Sequence, residues 1–219
     1  EANEMESRPS FVSTSFYGAP NKVSLLDRLF FDFDSPDLDK AWEDASGLAR
    51  ALERYYGIKA LLCFSGRKGY HVHVWLKQPV GGGFSQGLLK MLYAELQRGL
   101  LRGLSYESLD PAVIGDVKRL GRIPYSRHQK SGRLCVPVDE SRRPVLLTPG
   151  FVSTYRDRGI QPELVKLAVK RVNKEIVGRS LQKPRRRLGG GIRPCIEAAL
   201  TKSHLSHLMR VAVVAELHA

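Results

Sequence analysis

The stretch from Leu29 to Leu76 most constrains what this chain can fold into, because strand and helix periods alternate along it. Leu29-Phe30-Phe31-Asp32-Phe33-Asp34 is a short aromatic run ending in acids and reads as a buried strand. Ser35-Pro36-Asp37 follows, with Ser35 expected to cap a helix and Pro36 suited to its first turn. From Leu38 to Tyr55, apolar residues recur at helical spacing (Ala41, Trp42, Ala45, Leu48, Leu52), and Gly57 ends the pattern. Lys59–Ser65 and Tyr70–Leu76 then read as two strands joined by the tight turn Gly66-Arg67-Lys68-Gly69, an expected hairpin. A strand, a long helix and a hairpin predict an α+β domain with helices flanking a mixed sheet.

Further signals are weaker. Gly81-Gly82-Gly83 marks a loop, and Ser85–Leu101 is helical by period. Between Asp110 and Asp139 short strand-like pieces alternate with basic turns, Leu134–Val138 being the clearest strand, and Pro162–Val177 is another helix. Lys183-Pro184-Arg185-Arg186-Arg187 and Gly189-Gly190-Gly191 read as a flexible basic linker. The expected organisation is a domain over 1–180, a linker over 181–191 and a helical segment over 192–219. The chain lacks an initiator Met and stops inside an apolar helical pattern, so a fragment of something longer is expected.

Charge narrows the partners. The formal net charge of +13 over 219 residues favours a polyanion: nucleic acid, nucleotides or an anionic surface. No apolar run approaches the roughly 20 residues of a membrane span, so no membrane is expected. Glu1–Ser10 is polar and acidic, unlike a secretory signal. Cys63, Cys135 and Cys195 lie far apart, fit neither a disulfide framework nor a CxxC zinc site, and suggest a reduced, cytoplasmic setting.

Three stretches carry chemistry. Asp32 and Asp34 alternate on one side of a strand, where like charges repel unless a cation sits between them. Hard divalent ions such as Mg²⁺ or Mn²⁺ suit carboxylate oxygens. A strand running out into an acidic, helix-capping turn is the plainer account. Ser65-Gly66-Arg67-Lys68-Gly69-Tyr70-His71 pairs a bending backbone with a hydroxyl, two cations and an imidazole, a constellation for a triphosphate. A solvated hairpin turn is the competing account, and His73 reads as a packed histidine. The third stretch is Leu109-Asp110-Pro111 followed by a basic segment with Arg or Lys at 119, 122, 127, 130 and 133 and with His128. Pro124 and Gly132 break any helix there, so a phosphate-lined groove competes with a charged loop. Asp116 rivals Asp110 as a metal ligand, and spacing alone does not decide.

Together these stretches resemble the catalytic core of the archaeo-eukaryotic primase superfamily, the small subunit of replicative primases. That family's pattern is an apolar strand with DxD, a strand with SGRxGxH, then an Asp followed by a basic stretch ending in SxHxKTG. Here these stand as Phe31-Asp32-Phe33-Asp34, as Ser65 to His71, and as Asp110 with Ser126-Arg127-His128-Gln129-Lys130-Ser131-Gly132-Arg133. The resemblance covers about Leu29 to Asp139. It implies an RRM-like primase-polymerase fold and places catalytic metals on Asp32, Asp34 and Asp110, favouring Asp110 over Asp116. It implies triphosphate contacts on Ser65, Arg67, Lys68, His71, Arg119, Arg122, His128 and Lys130.

The implied activity is template-directed primer synthesis and extension in DNA replication, by two divalent ions, Mg²⁺ or Mn²⁺. The implied partners are a single-stranded DNA template, a primer strand, dNTPs or rNTPs and other replication proteins. Three departures are visible. The zinc knuckle often found between the first two motifs is missing, so no zinc is expected, the threonine of SxHxKTG is Ser131, and the N-terminal region is short and lacks a clear match. These suggest a compact member such as the primase-polymerases of archaeal plasmids. Ile192-Arg193-Pro194-Cys195-Ile196 resembles the start of the iron–sulfur domain of the primase large subunit. Cys195 has no later cysteine here, so either its partners lie past residue 219 or this is a cluster-free helical relative; an amphipathic helix with a buried thiol is the plainer account and the preferred one. Charge alone also supports a non-catalytic single-stranded nucleic-acid-binding module. A two-metal nuclease would use the same acids without a triphosphate pocket.

Overall fold

A computed structural model describes residues 9–182, with side-chain surroundings described up to 177. The expected linker over 181–191 lies outside them, except for 181–182, and so does the whole segment from 192 to 219, with Cys195. Residues 1–175 form one compact unit. The second, 176–219, is described only through the end of the last helix.

The strands are β1 (Phe11–Ser13), β2 (Phe16–Ala19), β3 (Lys22–Asp34), β4 (Leu61–Phe64), β5 (Gly69–Gly81), β6 (Leu120–Arg122) and β7 (Val136–Val138). The helices are α1 (Leu38–Tyr56), α2 (Gln86–Leu100), α3 (Phe151–Asp157) and α4 (Pro162–Gln182), with a 3₁₀ turn at Pro111–Val113. The main sheet has the order β2-β3-β5-β4-β7, and β1 pairs with β6 in a second, two-stranded sheet. Among the described residues every ladder is antiparallel, and a single isolated parallel bridge joins Leu76 to Ile160. The class is α+β. β3, α1 and β4 form a split βαβ with β5 inserted, and Leu109 bridges Phe33 on the other margin of β3. This is the RRM-like succession that the resemblance implies.

Period-two alternation explains the layering. On β3, Leu29, Phe31 and Phe33 face the helices, as do Tyr70, Val72, Val74 and Leu76 on β5. They meet Ala41, Trp42, Ala45, Leu48 and Leu52 of α1 and Leu89, Leu92 and Leu96 of α2 in one core. The alternate residues, Phe30 and Asp32 on β3 and His71, His73 and Trp75 on β5, face the other way, toward the segment after Asp116. Trp75 joins Leu61, Cys63 and Cys135 in a smaller cluster there, packed against Phe151 and Tyr155 of α3.

Helix ends follow local chemistry. The cap of α1 is Asp37 rather than Ser35: Asp37 Oδ1 accepts from Asp39 N (2.9 Å) and Lys40 N (3.4 Å), while the Ser35 hydroxyl accepts from Asp37 N (3.1 Å) one step outside. Gly57 closes α1 in the left-handed conformation (φ 65°). Among the described residues no helix is long and apolar enough to cross a membrane.

Candidate active site

Asp32 and Asp34 end β3 on the face away from the helices, opposite His71 and Gly69 of β5. Gly69 has to be glycine, since a Cβ there would collide with the Phe33 carbonyl and the Asp34 carboxylate. The outer margin of β3 then receives a distant segment. Asp34 N donates to Ser108 O (2.8 Å) and Asp110 N donates to Asp32 O (2.8 Å). These two bonds lay Asp110 beside Asp32.

Side chains the sequence did not single out hold this arrangement. Asp44, buried in α1, accepts from both the amide (2.9 Å) and the hydroxyl (2.8 Å) of Ser108 through Oδ2. Burial pushes the Asp44 carboxyl up, but the Ser108 bonds and Lys40 outweigh it and hold it below the ordinary carboxylate value. On α2, Tyr93 Oη accepts from Phe30 N (2.9 Å), and Gln97 Nε2 donates to Phe30 O (2.9 Å) and Val113 O (3.1 Å). Gln97 Oε1 also accepts from Gly115 N (2.7 Å), so one buried amide clamps the strand to the loop that carries Asp110. In sequence these three look like ordinary members of an amphipathic helix; only their burial inside a polar network marks them.

The acids meet cations. Arg119 Nη2 donates to Asp32 Oδ2 (3.0 Å) and to Asp110 Oδ2 (3.1 Å), one guanidinium nitrogen serving both carboxylates. Burial opposes the Arg119 charge, yet its bonds to Asp32 and Asp110 raise its pKa above the ordinary arginine value. Lys68 Nζ pairs with Asp34 Oδ2 at 2.9 Å. Asp116 Oδ1 accepts from Lys118 N (3.1 Å), and its carbonyl accepts from Arg119 N (3.3 Å). His71 Nε2 lies 3.7 Å from Asp32 Oδ1. Burial lowers the His71 pKa, against the pull of Asp32 and Asp34 and with help from Arg122 and Arg119, so the imidazole is neutral near pH 7.

The hairpin turn and the basic loop come together. Ser65 is buried and its amide donates to Gly69 O (2.9 Å), closing the turn, while Arg67 and Lys68 stay exposed. Gly66 (φ 92°) admits the loop closely: a Cβ there would lie 2.9 Å from the His128 Cβ and 3.0 Å from Arg133 O. The Ser131 hydroxyl donates to Gly66 O (2.5 Å) and pins the contact. His128 Nδ1 accepts from Lys130 N (3.1 Å) and Ser131 N (3.3 Å), leaving its hydrogen on Nε2. Burial and the neighbouring Arg122, Arg67 and Lys130 lower its pKa. The Lys130 side chain is exposed at this rim.

Arg122, another expected triphosphate contact, ends β6 just ahead of this loop. It is 6% exposed, donates to Arg127 O (3.1 Å) and Gln129 Oε1 (2.9 Å), and lies over the Phe11 ring at 4.5 Å. These partners make it a brace for the loop.

Among the described residues no group of three or more His, Cys, Asp or Glu side chains is arranged to hold a metal ion. The donor set nevertheless suits a hard divalent cation: three carboxylates on adjoining chain segments, two already gathered around one positive nitrogen. Beside them His71, 7% exposed, leaves Nδ1 without a hydrogen-bond partner.

No family model and no curated protein match the sequence. Solved structures to which the chain is similar include the AEP domain of the cyanophage S-2L primase-polymerase, at 20% identity and a TM-score of 0.41, covering 65% of this chain and 66% of that one. The polymerase domain of Mycobacterium tuberculosis ligase D, in complex with DNA, is 18% identical with a TM-score of 0.37, covering 77% of this chain and 58% of that one. Primase RepB′ is 14% identical with a TM-score of 0.36, covering 70% and 43%. The chain therefore spans less than two thirds of each of these chains.

Proposed function

We propose that this chain is a nucleotidyltransferase of the archaeo-eukaryotic primase superfamily, a primase-polymerase that makes and extends primers on single-stranded DNA with Mg²⁺ or Mn²⁺. The observation that carries the reading is that Asp32 and Asp110, far apart in sequence, share one guanidinium nitrogen beside a glycine-flanked basic turn. The order and spacing of the three motifs support it. The absence of a knuckle between the first two favours a compact member, of the archaeal-plasmid type.

In the proposed reaction a 3′-hydroxyl attacks the α-phosphorus of a nucleoside triphosphate, the bond to the β-phosphate oxygen breaks and pyrophosphate leaves. Asp32, Asp34 and Asp110 would hold the divalent cations. When bound, these supply electrostatic stabilisation of the attacking and leaving oxygens. The chain's own residues position the triphosphate. Arg67 and Lys68 present charge from the turn, and His128 presents its Nε2 hydrogen from the loop clasped to that turn. His71 would add a further triphosphate contact beside Asp32, from which its Nε2 lies 3.7 Å. The net charge of +13 would hold a template backbone without reading its sequence.

The test incubates the full chain with a single-stranded template, Mg²⁺ or Mn²⁺ and labelled dNTPs or rNTPs, with and without a primer. Template-dependent products are expected, and Asp32→Asn should reduce them by about a thousandfold or more while keeping the unfolding midpoint. Copying that persists in Asp32→Asn overturns the reading. Strand binding indifferent to divalent cations, without synthesis, would make the chain a nucleic-acid-binding module.

A further inference from the structure

Each of the three acids is already paired with a cation from within the chain, two positive charges standing against three negative ones. Arg119 bridges Asp32 and Asp110 at 3.0 and 3.1 Å, and Lys68 pairs with Asp34 at 2.9 Å. The backbone of Arg119 is fixed: its carbonyl accepts from the amide (3.0 Å) and the hydroxyl (3.1 Å) of fully buried Thr14. Its side chain reaches out from that anchor and is 27% exposed, and Lys68 is 49% exposed. Both can therefore swing without disturbing the strands.

We propose that Arg119, with Lys68 in support, is an exchangeable counter-ion: it stands between the carboxylates until ligand arrives and then passes to the phosphates, so that divalent cation and triphosphate enter together. The proposal rests on the nucleotidyltransferase reading above and adds an order of binding to it. The charges explain why. Two divalent cations cancel the formal charge of one fully ionised triphosphate, so the pair leaves the net charge of the site unchanged. A cation alone would be pressed against the guanidinium and ammonium groups. A triphosphate alone would be pressed against three carboxylates. In a partly dry site such like-charge contacts are costly, and each ligand relieves the contact that opposes the other. The coupling must be reciprocal: whatever factor the triphosphate contributes to cation affinity, the cation contributes to triphosphate affinity.

The experiment measures Mn²⁺ binding to the full chain by electron paramagnetic resonance, alone and with a non-hydrolysable ATP analogue. In the unaltered protein the analogue should tighten Mn²⁺ by about tenfold or more. Arg119→Gln should tighten Mn²⁺ alone by about tenfold and shrink the effect of the analogue, because the competing charge is gone. Lys68→Gln should shift both in the same direction by less, its pair being more exposed. Arg119→Gln binding Mn²⁺ no better than the unaltered chain overturns the counter-ion role and leaves the metal reading standing. Should Arg119→Gln fail to fold, unchanged Mn²⁺ binding in Lys68→Gln overturns the role instead. Mn²⁺ binding that survives Asp32→Asn undiminished, or is absent with and without the analogue, fails the metal reading itself and takes this proposal with it.

Discussion

The two faces of the central strands are both covered, one more completely than the other, and they are built from different materials. Toward the helices, Phe31, Phe33, Val72 and Val74 are 0% exposed and belong to the apolar core that α1 and α2 cover. Toward the loops, Asp32, His71 and His73 alternate with them, and their surroundings are ion pairs, unpartnered imidazole nitrogens and glycines that let backbone approach. One face stores stability in volume and the other holds charge in position. Neighbouring residues on one strand should therefore fail in different ways.

The largest contrast lies between adjacent positions. Phe31→Ala should cost about 3–5 kcal/mol in denaturant unfolding, because it opens a cavity that helices cannot fill. Asp32→Asn should hardly move that midpoint. A Phe31→Ala protein as stable as the parent would break the distinction.

Asp44→Ala sharpens it, because Asp44 belongs to the helix side but acts on the loop side. Losing both Ser108 bonds should cost about 1–3 kcal/mol and reduce synthesis more than tenfold, since the Asp110 segment loses its support. An activity loss with no change in unfolding would show that Asp44 does not anchor that segment.

Gly66→Ala tests the clasp between turn and loop. The positive φ and the contact with His128 predict about 1–2 kcal/mol of destabilisation and weaker nucleotide binding, read by calorimetry. Unchanged nucleotide affinity would remove the turn from the site.

The smallest effect is a pH dependence. Burial holds His73 neutral in the fold, its pKa well below the ordinary 6.5, with Arg28 and His71 adding to the shift. The unfolded chain takes up a proton there as pH falls below 6.5, so stability declines on acidification through that value and is insensitive to His73 above it. His73→Phe should flatten part of this slope in unfolding curves between pH 7.5 and 5. A slope identical to the parent's would mean that His73 is solvated in the folded state.

The sequence exposed what depends on local period. The acidic strand, α1 and the hairpin carry alternation or helical spacing within a few residues, and α4 continues the period seen over 162–177. It hid what depends on long-range closure. β1 and β2 are short and mostly exposed, with Phe11 at 46% and Phe16 at 51%, so no buried alternation announces them. α3 is seven residues long, and its N-cap, Gly150, has no side chain to cap it. Arg119 lies among other basic residues, and nothing local says that its partners are carboxylates brought in by β3 and by the Asp110 segment.

The clamp on Phe30 has a further consequence. Tyr93 and Gln97 occupy both hydrogen-bonding groups of that residue, and Ser108 and Asp110 occupy the next ones along the same margin. A long, aromatic-rich strand with an open margin invites a second chain to zip alongside it. Here four neighbours have taken the teeth of that zipper, so the strand richest in phenylalanine offers no template for aggregation.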